Sequence, residues 1–421
     1  MESQIDRRRL LGWSGLAVAG VAAGATLAGA PLAHADPAPP APPDADRIPP
    51  DTLPGGAYDR YVAQLAEQGR FSGVVMLAHR GRTVLSRSYG MADRENAVPN
   101  GEGTAFSLSS AGKPMRGVAI LQLVQQGKVQ LSDTIGTHLT GFPKEIADTV
   151  TVHHLLTGTS GVAAPEEDPA LVTNSRDEVH DYWTQWARRS TRVAPVGTPT
   201  AHGGPDVPVI AEIVEAASGM PYWDYVEQNV FRRCAMAGTG FFTRPQWLTD
   251  PHIAHPYMAL DDGSEIDAVR NLDKSSPRPF LLGHNPGRTF VDAPGDGGFA
   301  TAPDLVRFAG ALGDATVLDR PYVELFTGAK FPHLTGEEAG APPPDHPSFE
   351  AYGMPVDIAA GQWIVSRGGA NPGVGANWTI YTGTDWVGVV LCNSDSTPLT
   401  DVLAQEFQAV TGQPAGGGGG G

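Results

Sequence analysis

The chain has 421 residues, with 29 lysines and arginines against 46 aspartates and glutamates and a net charge of −17 at neutral pH. That acidity excludes nucleic acid and anionic membrane surfaces as partners. It leaves small-molecule substrates open, because the field inside a site can differ from the average over the chain.

In chain order, the first feature is a leader. Arg7-Arg8-Arg9-Leu10-Leu11 precedes an Ala/Gly-rich apolar stretch from Gly12 to Ala33, and Ala33-His34-Ala35 fits the small-residue cleavage rule. Residues 1–35 are therefore expected to be a twin-arginine-type signal peptide, and the protein to be secreted or extracytoplasmic, with no stable membrane insertion after cleavage. Residues 36–55 are rich in proline and read as an extended linker that cannot bury a core. The folded domain is expected over 56–412, and a disordered glycine-rich tail over 413–421.

Within the domain, residues 57–69 predict an amphipathic helix ended by Gly69. Residues 71–79 and 82–90 predict two strands joined by a tight turn at Arg80-Gly81. From about 130 to 290 the patterns are mostly helix and loop, clearest at Val207–Ala217 and Tyr222–Phe231. Strands are predicted at 361–367, 376–382 and 386–392, then a closing helix at Leu399–Val410. The fold class implied is α/β (α+β): one antiparallel sheet built from both chain ends and flanked by helices, plus a mainly helical lobe. The cleft between sheet and lobe is the expected site.

The chemistry concentrates in Phe106-Ser-Leu-Ser-Ser-Ala-Gly-Lys113. Ser110 and Lys113 are three residues apart at the predicted start of a helix, so they share one face. A hydroxyl needs a base to become nucleophilic, and an amine serves only if burial or nearby positive charge lowers its pKa. Val118, Ile120, Leu121 and Val124 make the following helix a buried one, with Gly127 as its stop. A buried helix carries its first turn, and the lysine, into the protein.

No other group competes as a chemical centre. No metal-ligand spacing is present and no cofactor is expected. His153 and His154 are adjacent and point apart, which suits a structural role better than a metal site. Cys234 and Cys392 are the only cysteines. Export after folding in a reducing compartment makes them two buried free thiols rather than a disulfide.

These elements resemble the penicillin-recognising serine hydrolases: class C β-lactamases, D-alanyl-D-alanine carboxypeptidases and β-lactamase-like esterases, whose relatives carry Ser-x-x-Lys. The resemblance runs over about 57–411. It includes Phe71-Ser-Gly-Val-Val, Tyr89-Gly-Met-Ala-Asp93, Phe106–Lys113, Val150-Thr-Val-His-His-Leu-Leu-Thr157, Pro195-Val-Gly-Thr198, Gly297-Gly-Phe-Ala-Thr-Ala-Pro-Asp-Leu305, Gly368-Gly-Ala-Asn-Pro-Gly373 and Trp386–Asn393.

The resemblance implies a β-lactamase/transpeptidase-like fold and acyl transfer, with Ser110 as nucleophile and Lys113 as base. It also implies an oxyanion held by the N–H groups of Ser110 and Ala370. Two motifs depart from the family. His202-Gly203-Gly204 stands where Tyr-x-Asn is usual, which makes His202 a candidate proton relay. Tyr182 and Tyr257 are possible stand-ins for the missing phenol. Arg367-Gly368-Gly369 stands where Lys or His precedes x-Gly; Arg367 can grip a carboxylate but cannot release a proton. The expected activity is hydrolysis of a small ester, amide or peptide, an ester before an amide. Acyl transfer or peptide cyclisation, and a binding protein with an impaired site, are the alternatives, and β-lactam hydrolysis ranks last among the enzyme readings.

Overall fold

Arg80 and Gly81 both take positive φ, 51° and 72°, the geometry that lets a two-residue turn follow the twist of the strands it joins. A computed structural model, which describes residues 46, 48–199, 204–291, 293–332 and 346–414, shows this turn folding β1 (Gly73–His79) onto β2 (Arg82–Tyr89). Every residue of β1 is buried, as expected of a strand covered on both faces. The expected leader, most of the Pro-rich segment and the last glycines lie outside the described residues. Pro50–Thr52 already forms a 3-10 turn with Thr52 buried, so the end of the expected linker is fixed structure.

Among the described residues, the sheet has eight antiparallel strands. β3 (Phe331–Pro332), β4 (Ser348–Glu350), β5 (Pro355–Ala359), β6 (Gln362–Asn371), β7 (Val374–Tyr381) and β8 (Trp386–Cys392) run in order from one edge; β1 and β2 complete the other. β8 pairs with β1 from Gly73↔Cys392 to His79↔Trp386. Both chain ends thus build one sheet, as the sequence predicts.

Alternation along β1 divides the core. Val75 and Leu77 face a layer made by α1 (Ala57–Glu67) and α7 (Leu399–Thr411), with Tyr58, Val62, Leu65, Val402 and Val410. Val74, Met76 and Ala78 face the larger core, which holds α2 (Pro114–Gln125), α3 (Arg176–Ala187), α4 (Asp206–Ser218), α5 (Ala302–Gly313) and α6 (Arg320–Thr327). α2 is buried from Pro114 to Leu123, so the turn before it is carried inside. The helix predicted at Tyr222–Phe231 is α-helical over Tyr222–Val226 and continues as a π-helical turn over Glu227–Phe231. Cys234 and Cys392 are buried free thiols. His153 Nδ1 bonds the Tyr352 hydroxyl at 2.9 Å, while His154 completes the helix cap at Thr151. Among the described residues no helix is long and apolar enough to cross a membrane.

One carboxyl is buried between α7 and the sheet. Glu406 is 1% exposed and accepts from the Tyr381 hydroxyl at 3.2 Å. It lies on Gly388, where a Cβ would stand 2.0 Å from Oε1. Burial pushes Glu406 up to about 8 against the pull of Tyr381. A raised acid contributes stability that is fully present below the ordinary glutamate range and is lost as pH rises through about 8. Glu406→Gln is therefore expected to melt with the wild type below about pH 4. At pH 8.5 it should melt higher by on the order of 2 °C or more, read by calorimetry.

Candidate active site

Ser110 lies in a 3-10 turn, Ser109–Gly112, and the α-helix begins only at Pro114. The expectation of a helical start is corrected in detail. The tighter turn eclipses residues i and i+3, which brings Ser110 and Lys113 closer to one line than an α-turn would. Lys113 N–H donates to Ser110 O at 3.1 Å, and Lys113 Nζ donates to Ser110 Oγ at 2.6 Å. Ser110 is partly open, whereas Lys113 is only 3% exposed.

Two segments clamp this turn. The first is β6. Gly369 lies so close that a Cβ there would be 2.1 Å from Leu108 O and 2.8 Å from Ser110 N. Arg367 Nε donates to Ser110 O at 3.0 Å, and Ser109 Oγ donates to Ala370 O at 3.1 Å. Ser109 takes φ 45°, uncommon for a residue with a side chain, and is held there by β6. The second segment is Gly295–Gly298. Leu108 N–H donates to Gly298 O at 2.9 Å, and a Cβ on Gly112 would be 1.9 Å from Gly297 O.

Asp296 belongs to this second clamp, and sequence reasoning missed it. It is 6% exposed; its Oδ2 accepts from Lys113 Nζ, and its Oδ1 accepts from the Gly297 N–H at 2.8 Å. Burial alone would raise its pKa, but Lys113, Arg116 and the Gly297 N–H hold it below the usual carboxylate range. For Lys113, burial lowers the pKa most. Asp296 opposes that, Arg367 and Arg116 add to it, and the balance is about 8. Arg116, buried one turn beyond Lys113, donates to Gly295 O at 3.3 Å. Asp206, buried at the start of α4, is pushed up to about 7 by burial, against the pull of Ser160 and Arg116.

The predicted residues divide accordingly. Ser110, Lys113, Arg367, Gly368, Gly369 and Ala370 lie on the turn and the strand that meet here. His202 lies outside the described residues. Tyr182 and Tyr257 are committed elsewhere, their hydroxyls accepting from the N–H groups of Asp168 at 3.0 Å and Arg94 at 2.6 Å. Arg367 is not simply a substrate clamp, since its Nε holds the backbone of Ser110. Asp93, His255 and Asp267 bring three possible metal ligands together, but Arg270 pairs with both carboxylates and supplies the cation itself.

A family model described as Beta-lactamase matches residues 58–413. The chain belongs to the beta-lactamase family. A putative penicillin-binding protein, PbpX of Bacillus subtilis, is 27% identical over 304 residues, 72% of this chain and 66% of that protein, just under two thirds of it. Esterase EstB of Burkholderia gladioli is 27% identical over 389 residues, 82% of this chain and 92% of the esterase. Among solved structures, the penicillin-binding protein from Bacillus halodurans superimposes with a TM-score of 0.62 at 25% identity, over 82% of this chain and 97% of that one. The expected fold is the observed one, and the structural neighbours are penicillin-binding-protein-like serine hydrolases.

The clamp makes a direct prediction. Gly369→Ala must push β6 off the turn, because its Cβ has no room beside Leu108 O. Labelling of Ser110 by a fluorophosphonate probe is expected to slow by about a hundredfold, the usual effect of an ångström-scale misplacement, with the circular dichroism spectrum unchanged.

Proposed function

We propose that this protein hydrolyses a small ester or amide through an acyl-enzyme on Ser110, with Lys113 as the base. The observation that carries the reading is the 2.6 Å contact between Lys113 Nζ and Ser110 Oγ, with the amine buried behind a partly open hydroxyl. In its uncharged form Lys113 takes the proton as Ser110 Oγ bonds to the substrate carbonyl carbon. The oxyanion so formed accepts from the N–H groups of Ser110 and Ala370. Collapse breaks the bond to the leaving group, which receives the proton from Lys113. A water molecule then repeats the attack on the acyl-serine and restores the hydroxyl.

An ester is favoured over an amide because its leaving group needs less assistance. The likeness to esterase EstB over 92% of that protein's length supports the same order. Gly204, where the family has an asparagine for the substrate's side-chain amide, weighs against β-lactams and peptidoglycan peptides. The retained Ser110 and Lys113 weigh against a purely binding role. His202, the residue in place of the family tyrosine, is proposed as the relay that passes the proton between Lys113 and the leaving group. The three consecutive arginines and the apolar run behind them support export.

A fluorophosphonate probe is expected to label the mature protein at Ser110 near pH 8 and to leave Ser110→Ala unlabelled. In a panel of p-nitrophenyl esters, D-amino-acid amides and a chromogenic cephalosporin, an ester is expected to give the highest kcat/KM, and Ser110→Ala to lose at least about a thousandfold of it. Absence of labelling and of turnover would favour the binding role; transfer of the acyl group to an added amine in preference to water would favour acyl transfer. His202→Phe is expected to slow ester hydrolysis by about a hundredfold, and an unchanged rate would remove it from the mechanism.

A further inference from the structure

We propose that Asp296 is a positioning residue that sets the proton affinity of Lys113, and with it the pH above which Ser110 becomes nucleophilic. The inference rests on the reading of Lys113 as the base and adds the group that governs that base. Lys113 Nζ lies between two oxygens, Ser110 Oγ and Asp296 Oδ2. The carboxylate cannot turn away, since its other oxygen accepts from the Gly297 N–H at 2.8 Å. Its loop is fixed in turn by Arg116, which donates to Gly295 O, and by the Leu108 N–H on Gly298 O.

The charges around this pair are unequal. Arg116 approaches from α2 and Arg367 from β6, and both oppose a charge on Lys113. Tyr222 and Asp206 act on Arg116, and Glu350 acts on both arginines. Among the described residues, Asp296 is the carboxylate bonded to the amine. It therefore keeps Lys113 charged at a pH where burial and two guanidiniums would have discharged it. The resting site holds an ammonium–carboxylate pair, and the base appears only as pH rises through the balance point near 8. The outcome is a hydrolase tuned to mildly alkaline conditions by a residue that acts through Lys113.

The test is the pH profile of kcat/KM for a p-nitrophenyl ester, for wild type, Asp296→Asn and Asp296→Glu, each checked for folding by circular dichroism. The acidic limb is expected near pH 8 in the wild type. It should fall by about 1–3 units in Asp296→Asn, the span of an opposite charge at this range, and stay within about half a unit of the wild type in Asp296→Glu. A merely structural role would lower activity equally at every pH. A second measurement needs no turnover. The chain has only five lysines, so ε-13C-lysine labelling gives five resonances, and Lys113 is titrated by NMR in a Ser110→Ala background with and without Asp296→Asn. Its midpoint is expected to fall with the limb. If Asp296→Asn does not fold, the Glu variant decides: a limb that stays supports the charge, and a limb that falls by a unit or more contradicts it. An unmoved limb and midpoint in a folded Asp296→Asn overturn the proposal. If Ser110 proves not to be the nucleophile, the NMR midpoint still reports on Asp296 separately.

Discussion

The contact between Lys113 Nζ and Ser110 Oγ, 2.6 Å long and made by a side chain only 3% exposed, is the constraint that the surrounding structure serves. Removing an ammonium from water costs several kcal/mol even after the protein relaxes, so a lone lysine at this depth would discharge or turn outward. Asp296 offsets that cost and the two arginines restore part of it. The result is an amine brought down to about 8 and held against the Ser110 hydroxyl. Burial lowers the proton affinity of the amine, while the ion pair raises it and fixes its position, contributions that sequence spacing alone does not distinguish.

The fold delivers this arrangement from three distant stretches of chain. The turn that carries Ser110 follows the first hairpin and precedes the buried helix α2. Asp296 comes from a glycine-rich loop 183 residues from Lys113, Arg367 and Gly369 from a strand near the other end of the chain. Bare glycines at 112 and 369 allow backbone to touch backbone. Trp378, on the neighbouring strand, adds an indole N–H to Ala111 O at 3.0 Å. Anchored on several sides, the turn can hold Ser109 in its unfavourable φ, a form of strain often found at reacting groups.

What was legible in the sequence was what repeats along it. Apolar runs bounded by turn residues marked β1, β2 and the last three strands; helical periodicity and Gly127 marked α2; and Ser110 with Lys113 followed from spacing plus that buried helix. The outer strands Ser348–Glu350 and Pro355–Ala359 are too short to show a period. Asp296 is a single acid among glycines, and no local pattern ties it to Lys113; only the tertiary approach does. Arg116 was within reach, since it lies three residues beyond Lys113 and repeats the Ser110–Lys113 step on the same face. Tyr182 and Tyr257 were drawn in by residue type alone, and their hydroxyls serve loops instead.

The central claim is that one alcohol carries the acyl group during turnover. Acid quenching within the first turnover of a p-nitrophenyl ester, followed by peptide mapping by tandem mass spectrometry, tests it most directly. A single acyl adduct on Ser110 that disappears as substrate is exhausted is the expected result. Turnover with no adduct on Ser110, or with the adduct on another side chain, would contradict it.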